Sequence, residues 1–394
     1  VTKVEAYYRA TRAEISLDAL RVNLTAFRQA IPEGMLMMAS VKANAYGHGA
    51  VGIAREAEAF GVDYMGVAFL DEAIQLRQAG ITKPILVLGY VPPAGLAAAR
   101  DYGITIALFR YDVLDAAATL PDNGKQLAVH IKIDSGMGRL GMLPGEEAQR
   151  FIERALTIKQ LRVDGLFTHY SKADELDKSY TEQQYERFNG VVDYVRNHSL
   201  PISLFHAANS ATGIDTPSWG HGMLRLGIGM YGLYPSAEVN QQQIKLEPVM
   251  SLKTAVAMAK TAPGNWGISY GARYVTSGSE RIGTLPIGYA DGFSRMLSGK
   301  AEAIVRGTRV PVLGTICMDQ CMIALDPAEQ DGIQVQADDE VVIMGRQGNE
   351  TITADDIADK LGTINYEITC MLAARVPRVF VRNGVVQSVS NPLL

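Results

Sequence analysis

MLMMASVKANAYGHG, residues 35–49, is the stretch on which the reading of the fold turns. Its opening, Met35–Val41, is an apolar run of strand length with no polar alternation, as a parallel strand covered on both faces requires. A Gly-rich turn follows, and then a helical stretch, Ala50–Phe60. Upstream, Leu17, Leu20, Leu24, Phe27 and Ile31 recur at spacings of three and four, one apolar helical stripe, with Ser16 as its N-cap and Pro32 as its stop. Downstream the alternation continues. Further strands are expected at Tyr64–Phe69, Pro84–Tyr90, Ile104–Phe109, Leu127–Asp134, Val163–His169, Ile202–His206 and Met223–Ile228. Helical stretches separate most of them; in Thr181–Val195, Thr181-x-x-Gln184 reads as a capping box, with Tyr185, Phe188, Val192 and Val195 as the buried face. Eight strand–helix units in about 235 residues is the arithmetic of a TIM-type (β/α)8 barrel. An open doubly wound sheet competes, but no G-x-G-x-x-G stands at the first strand–helix turn.

Around Ser236–Gln243 the texture turns polar and aperiodic, which marks a linker. Beyond it, β-branched runs punctuated by Gly and Pro appear at Val249–Lys260, Arg281–Ile287, Ala301–Val305, Arg309–Leu313, Ile316–Leu325, Glu340–Met344 and Val376–Val381, with only Thr353–Leu361 helical. The expected fold class is therefore α/β plus β: a barrel domain over residues 1–240 and an all-β domain, a small barrel at most, over 241–394.

Composition excludes several classes of function. Among 394 residues, 37 Lys+Arg against 42 Asp+Glu leave a net charge of −5, without the basic surplus that nucleic acid or an anionic membrane surface demands. An apolar share of 47% and a charged share of 20% rule out wholesale disorder. Three cysteines, Cys317, Cys321 and Cys370, are too few for a disulfide scaffold, and the six histidines show no zinc-site spacing. Val1–Arg12 has mixed charge and no apolar core, so no signal peptide is expected. No apolar run reaches the roughly 20 residues of a membrane span. The expectation is a cytoplasmic protein acting on a small molecule, with no nucleic acid and no membrane as partner.

In a parallel barrel the working residues project from the C-terminal ends of the strands. Here those ends carry Lys42 after the first strand and Lys132, Asp134 and Arg139 after the fifth. They carry His169 after the sixth, His206, Asn209 and Ser210 after the seventh, and Arg225, Gly227 and Ile228 after the eighth. A lone strand-end lysine more often snorkels into solvent. A deprotonated lysine in a barrel mouth, however, is what Schiff-base chemistry with an aldehyde cofactor needs. Asn209-Ser210 and Gly227-Ile228 offer hydroxyl and N–H donors where barrels bind phosphate. Pyridoxal 5′-phosphate is the simplest aldehyde that also carries a phosphate.

With those residues in view, SVKANAYGHG (40–49), IKIDSGMGRLG (131–141), FTHYSKAD (167–174), HAANSA (206–211), RLGIGMYG (225–232), ISYGARYVT (268–276), GTICMDQCMI (314–323) and INYE (364–367) with RVPRVF (375–380) together resemble the bacterial alanine racemase family, in order and across both expected domains. The resemblance implies an isomerase that supplies D-alanine for peptidoglycan, with pyridoxal 5′-phosphate attached to Lys42. It implies that Lys42 is the base on one face of the substrate and Tyr270 the base on the other. Cofactor contacts would fall to Tyr46, His169, Asn209, Ser210, Gly227, Ile228 and Tyr366, with Arg225 meeting the pyridine nitrogen. Substrate contacts would fall to Arg139, Met318, Asp319 and Tyr289. Lys132 would be carbamylated and orient Arg139, although an ion pair with Asp134 is nearly as good a reading of it. The family works as a head-to-tail homodimer with shared active sites, so Tyr270 would reach the partner's site.

Two fixed bases on opposite faces suit racemisation, because the carbanion need not rotate between losing a proton and regaining one. Arg225 sharpens the class of reaction. A guanidinium stays protonated, so the pyridine nitrogen beside it must remain an acceptor, which blunts the cofactor as an electron sink. A decarboxylase on the same plan is expected to place a carboxylate there. Ala373-Ala374, near Tyr366, departs from some members of the family and would widen the substrate gate towards serine. Cys317, in the run Ile316–Leu325, reads as strand packing.

Overall fold

The computed structural model describes residues 7–394; the expectation about Val1–Arg12 therefore rests partly on residues outside the described ones. The chain forms two units, one comprising the chain up to Ala19, Tyr46–Gly52 and Pro248–Leu394, the other Leu20–Ala45 and Ile53–Glu247.

The first described strand, β1 (Arg12–Ser16), was not among those expected. All eight barrel strands are present: β2 (Leu36–Ser40), β3 (Tyr64–Val67), β4 (Ile85–Val87), β5 (Thr105–Leu108), β6 (Leu127–Lys132), β7 (Leu161–Phe167), β8 (Leu204–His206) and β9 (Met223–Leu226). They pair in parallel in the order β8-β7-β6-β5-β4-β3-β2-β9. The seam between β8 and β9 is held by Gly222 N–H to the Phe205 carbonyl (2.8 Å), Ala207 N–H to Gly220 (3.1 Å) and Arg225 N–H to Ala208 (3.1 Å). Most strand residues are buried on both faces, as the largely apolar runs demand, with Arg162 and Asp164 of β7 reaching solvent; Met37, Met38 and Ala39 are fully enclosed.

The helix Leu17–Ala30 lays Leu20, Leu24 and Phe27 into the core, and Ser16 Oγ accepts the Ala19 N–H at 3.1 Å, the expected cap. Asp63 braces its far end, accepting from Met37 N–H (2.8 Å) and from the Arg28 guanidinium (2.9 Å). The capping box expected at Thr181 does not form. The helix starts two residues earlier, spanning Ser179–Asn197, and Asp177 accepts the Ser179 N–H at 3.0 Å. Gln184 turns elsewhere, accepting from Ser171 N–H (2.8 Å) and donating to the His169 carbonyl (3.1 Å). The polar stretch Ser236–Gln243 is loop, anchored by Ser236 on the Asp174 carbonyl and by Asn240 N–H on Asp215.

Among the described residues the other unit is an eleven-stranded sheet with an open strand path, not a small barrel. Its strands are β1 with β10 (Met250–Ala255), β11 (Met258–Ala262), β14 (Glu280–Leu285), β15 (Glu302–Val305), β16 (Thr308–Leu313), β17 (Cys321–Ala324), β18 (Glu340–Gln347), β19 (Glu350–Ile352), β20 (Arg378–Arg382) and β21 (Val385–Ser390). A separate pair, β12 (Gly267–Ile268) and β13 (Tyr274–Val275), stands beside it in the sequence. The run Val249–Lys260 is two strands, because the chain leaves the ladder at Val256. The helix expected over Thr353–Leu361 spans Ala354–Leu361 with Thr353 as its N-cap, and a second helix, Asn365–Cys370, joins it. Strand β1 lies antiparallel to β10 and parallel to β20, registering Ile15 with Met250 and Phe380.

Candidate active site

At the barrel mouth the backbone after Lys42 is unusual. Ala43, Asn44, Ala45 and Tyr46 all lie at φ between 52° and 55°, a left-handed turn of non-glycine residues, each costing roughly 1–2 kcal/mol. Glu72 supports it: one carboxylate oxygen accepts the Ala43 N–H at 2.7 Å and the other the Ala68 N–H at 2.7 Å. Ala45 N–H closes the turn on the Val41 carbonyl at 2.9 Å. Strain of this kind persists only where the surroundings over-determine it, and it sits directly behind the lysine that closes β2.

Arg225, near the end of β9, is the centre of the barrel's polar interior and is only 6% exposed. It donates to the Thr168 and Ala207 carbonyls (2.7 and 2.9 Å), to His206 Nδ1 (2.9 Å) and to His169 Nδ1 (3.1 Å). Burial lowers its pKa to about 10, with Tyr170 opposing and Arg139 assisting, so it stays cationic at neutral pH. That fixes the imidazoles, since a ring nitrogen facing a guanidinium must be an acceptor. His169 and His206 therefore carry their protons on Nε2, and His206 passes its proton's hydrogen bond to His130 Nδ1 at 2.9 Å. His130 in turn is protonated on Nε2, a buried atom without a partner among the described residues. His206 stacks on Phe167 with ring centroids 4.9 Å apart.

Lys132, 6% exposed, sits with its Nζ 4.2 Å from the centre of the Phe167 ring. The ion pair with Asp134 does not form. Asp134 instead accepts the N–H groups of Gly136, Gly138 and Arg139 at 3.0–3.1 Å, which shapes the loop that presents Arg139. Burial, then Arg225 and Arg139, hold Lys132 well below the ordinary lysine pKa, and Asp134 only partly offsets them. The Arg139 guanidinium is exposed and has no hydrogen-bond or ionic partner among the described residues.

Donors for an anion gather where β8 and β9 end. Ser210 Oγ accepts from Gly227 N–H (3.0 Å) and Gly229 N–H (3.2 Å), next to Ile228. Asn209 is engaged locally, its Oδ1 accepting from Thr212 N–H (3.0 Å) and thereby capping Ser210–Asp215. The Ser210 hydroxyl accepts these two bonds and has no acceptor for its own proton among the described residues, and no carboxylate stands in the set, which fits a phosphate. The Nε of Arg225 has no acceptor among the described residues, which fits an unprotonated pyridine nitrogen.

In the sheet unit the remaining expected residues lie on three neighbouring loops. Tyr270 stands on the short turn Tyr270–Ala272 and is 71% exposed. Tyr289 N–H donates to the Cys317 carbonyl and Ala290 N–H to that of Met318, both at 3.0 Å. The approach is so close that a Cβ on Gly288 would lie 2.3 Å from the Cys317 oxygen. Met318 is exposed, while Asp319 pairs with Arg375 at 2.6 Å. Tyr46 and Tyr366 belong to this unit too, with ring centroids 6.1 Å apart. Cys317 is not in a strand, as expected, but in the half-exposed turn ahead of β17, because the Cys317 N–H closes on the Gln320 carbonyl at 2.9 Å.

A buried carboxylate organises these loops and was not singled out from sequence. Asp291 accepts from Arg9 (2.7 Å), Arg375 (2.8 Å) and Gly288 N–H (3.0 Å). Burial pushes its pKa up, but the two guanidinium hydrogen bonds and the amide outweigh that and leave it below the usual carboxylate range. Asp291→Asn should cost about 1–3 kcal/mol, since Arg9 loses its counter-charge while Arg375 keeps Asp319; urea unfolding of the two proteins measures it. A second expectation concerns acid. Burial lowers His130 to about 4, with Asp164 opposing and Arg225 assisting, against roughly 6.5 when unfolded. Between those values the unfolded chain binds the extra proton, so stability falls as pH drops from 6.5 towards 4. Burial brings His221 to about 4 as well. Thermal unfolding of His130→Gln across that window should show a shallower decline than the wild type.

A parallel barrel whose polar interior is built on a buried arginine, with a lysine closing its first strand and a mostly-sheet unit exposing a loop tyrosine, defines an enzyme of the amino-acid racemase class. Residues 15–235 match the alanine racemase N-terminal domain family and residues 249–380 the alanine racemase C-terminal domain family. The alanine racemase of Halalkalibacterium halodurans is 43% identical over 394 residues, covering 99% of this chain and all of that one. The solved alanine racemase of Clostridium difficile 630 superposes with a TM-score of 0.93 at 39% identity, over 99% of this chain and 100% of that one. That of Bacillus anthracis, solved with bound L-Ala-P, gives 0.93 at 40% identity over 99% of each chain. The chain belongs to the alanine racemase family.

Proposed function

We propose that the protein interconverts L-alanine and D-alanine with pyridoxal 5′-phosphate held at Lys42, in the cytoplasm, and so supplies D-alanine for peptidoglycan. When bound, the cofactor would supply the conjugated electron-withdrawing system that acidifies the substrate's Cα–H. Ser210, Gly227 and Ile228, together with Tyr46 and Tyr366, would hold its phosphate by neutral donors; Asn209 would keep that loop in shape by capping its helix. Arg225 would donate to the pyridine nitrogen and keep it unprotonated, and His169 would fill the space beside the ring. Arg139 and Met318 would receive the substrate carboxylate, with Asp319 and Tyr289 lining the approach. Lys42 would take or return the α-proton on one face and Tyr270 on the other. The division near residue 240, into a barrel that binds the cofactor and a sheet domain that brings the second base, is part of this proposal.

The observation that carries the reading is Arg225, buried and fixed by four acceptors as a cation. It disfavours a decarboxylase, which would need a carboxylate in that place. Chiral separation of alanine after incubation tests it. D-alanine formed from L-alanine, and no carbon dioxide from basic amino acids, is the expected result; carbon dioxide without inversion would refute it.

The exposed Tyr270 phenol has no partner among the described residues, which supports a head-to-tail homodimer in which it serves the other subunit. Mixing Lys42→Ala and Tyr270→Phe chains, each inactive alone, should restore turnover if the bases come from different chains, and restore none if they come from one. Lys132, buried, without a hydrogen-bond or ionic partner among the described residues, and held well below the ordinary lysine pKa by burial, Arg225 and Arg139, would react with carbon dioxide to give a carbamate that balances Arg139. A carbamate carbon signal from labelled bicarbonate, absent in Lys132→Ala, is the check.

A further inference from the structure

No hydrogen bond or ring contact among the described residues fixes the Tyr270 side chain, so its position is set by its backbone. That backbone is strained. Ser269 lies at φ +64°, Gly271 at +73° and Ala272 at +42°, so two residues with a Cβ occupy the left-handed region on either side of the tyrosine and its glycine. Something must hold them there. Thr315, 1% exposed, donates its hydroxyl to the Tyr270 carbonyl at 3.0 Å. The Thr315 carbonyl in turn accepts from Ser269 Oγ, and Cys317 Sγ lies 3.3 Å from that same Oγ. Gly314, at φ +65°, allows the two loops to meet: a Cβ there would fall 2.6 Å from the Ile268 oxygen.

We propose that Thr315 is a positioning residue for Tyr270, holding the strained turn 269–272 so that the phenol stays where proton transfer requires it. This rests on Tyr270 being a base. Proton transfer tolerates little displacement; a shift of about 1 Å costs on the order of 10²-fold. Thr315→Val keeps the shape and removes the donor, and Thr315→Ala guards against crowding by the valine. Thr315→Ser restores the hydroxyl.

In the holoenzyme, Val and Ala are expected to lower kcat by about 10-fold to 10²-fold with little change in KM, and Ser to remain near wild type. Because only one of the two bases moves, the primary isotope effect should rise with one α-deuterated enantiomer of alanine and not with the other. Amide exchange across 269–272 should quicken without loss of global stability. Equal rises for both enantiomers, or wild-type exchange and isotope effects in both Val and Ala, would overturn the proposal while leaving Tyr270 as the base. If Tyr270→Phe kept full turnover, the base assignment itself would fall, and this inference with it.

Discussion

Lys42→Ala is expected to lose racemisation by at least about 10³-fold, the upper part of the range for a positioned general base, and to lose covalent attachment of the cofactor as well. The protein should remain folded. Lys42 follows a strand buried except at the partly exposed Leu36, and the left-handed turn behind it is tied by Glu72 and the Val41 carbonyl through main-chain N–H groups, none of which the substitution touches. An added small amine that restores measurable turnover to Lys42→Ala, without restoring attachment, would separate the lysine's role as a base from its role as an anchor.

Arg225→Glu is the second large effect and should strike stability and activity together. The carboxylate would face the Thr168 and Ala207 carbonyls with nothing to donate, and the Nδ1 atoms of His206 and His169 would lose their donor. An uncompensated buried charge of this kind costs about 3–5 kcal/mol. The imidazoles would have to change tautomer or take up protons, so nitrogen NMR of labelled histidine in the cofactor-free protein should show the shift from Nε2-protonated rings directly. Turnover should fall about 10²–10³-fold, the usual price of removing a preorganised donor. Arg225→Lys should fall between, since an ammonium keeps the charge but not the planar fork that serves four acceptors.

The barrel was legible because most of its strands are buried on both faces and leave largely apolar runs, β7 with Arg162 and Asp164 being the exception, and the strand ends then ordered Lys42, Lys132, His169, Ser210 and Arg225 around one mouth. Strand β1 was not legible: its five residues alternate in burial, and its partners β10 and β20 lie far along the chain, where no local pattern reaches. The helix Asn365–Cys370 is shorter than two turns, too short for a periodicity, so Tyr366 was found by its motif and not by its element. Thr181 and Gln184 have the spacing of a capping box, yet the Gln184 amide is drawn to Ser171 and His169 by tertiary structure. His130 carried no usable signal by itself, and His206 was read only as a strand-end residue. They meet only because their strands place them side by side inside the barrel, with Gly165 between, where a Cβ would lie 3.1 Å from His130 Nδ1. Asp291 and Thr315 hid for the same reason: an acid and a hydroxyl in short turns become significant only once Arg9, Arg375 and Tyr270 are brought to them from distant sequence.

Early turnover in heavy water probes the opposing bases most directly. L-alanine racemised to a small extent should give D-alanine fully labelled at the α-carbon, while the recovered L-alanine stays almost unlabelled, because the proton removed by one group is replaced by another already equilibrated with solvent. D-alanine that retains the substrate's own α-hydrogen would mean one group working on both faces, and Lys42 and Tyr270 could not then be an opposed pair.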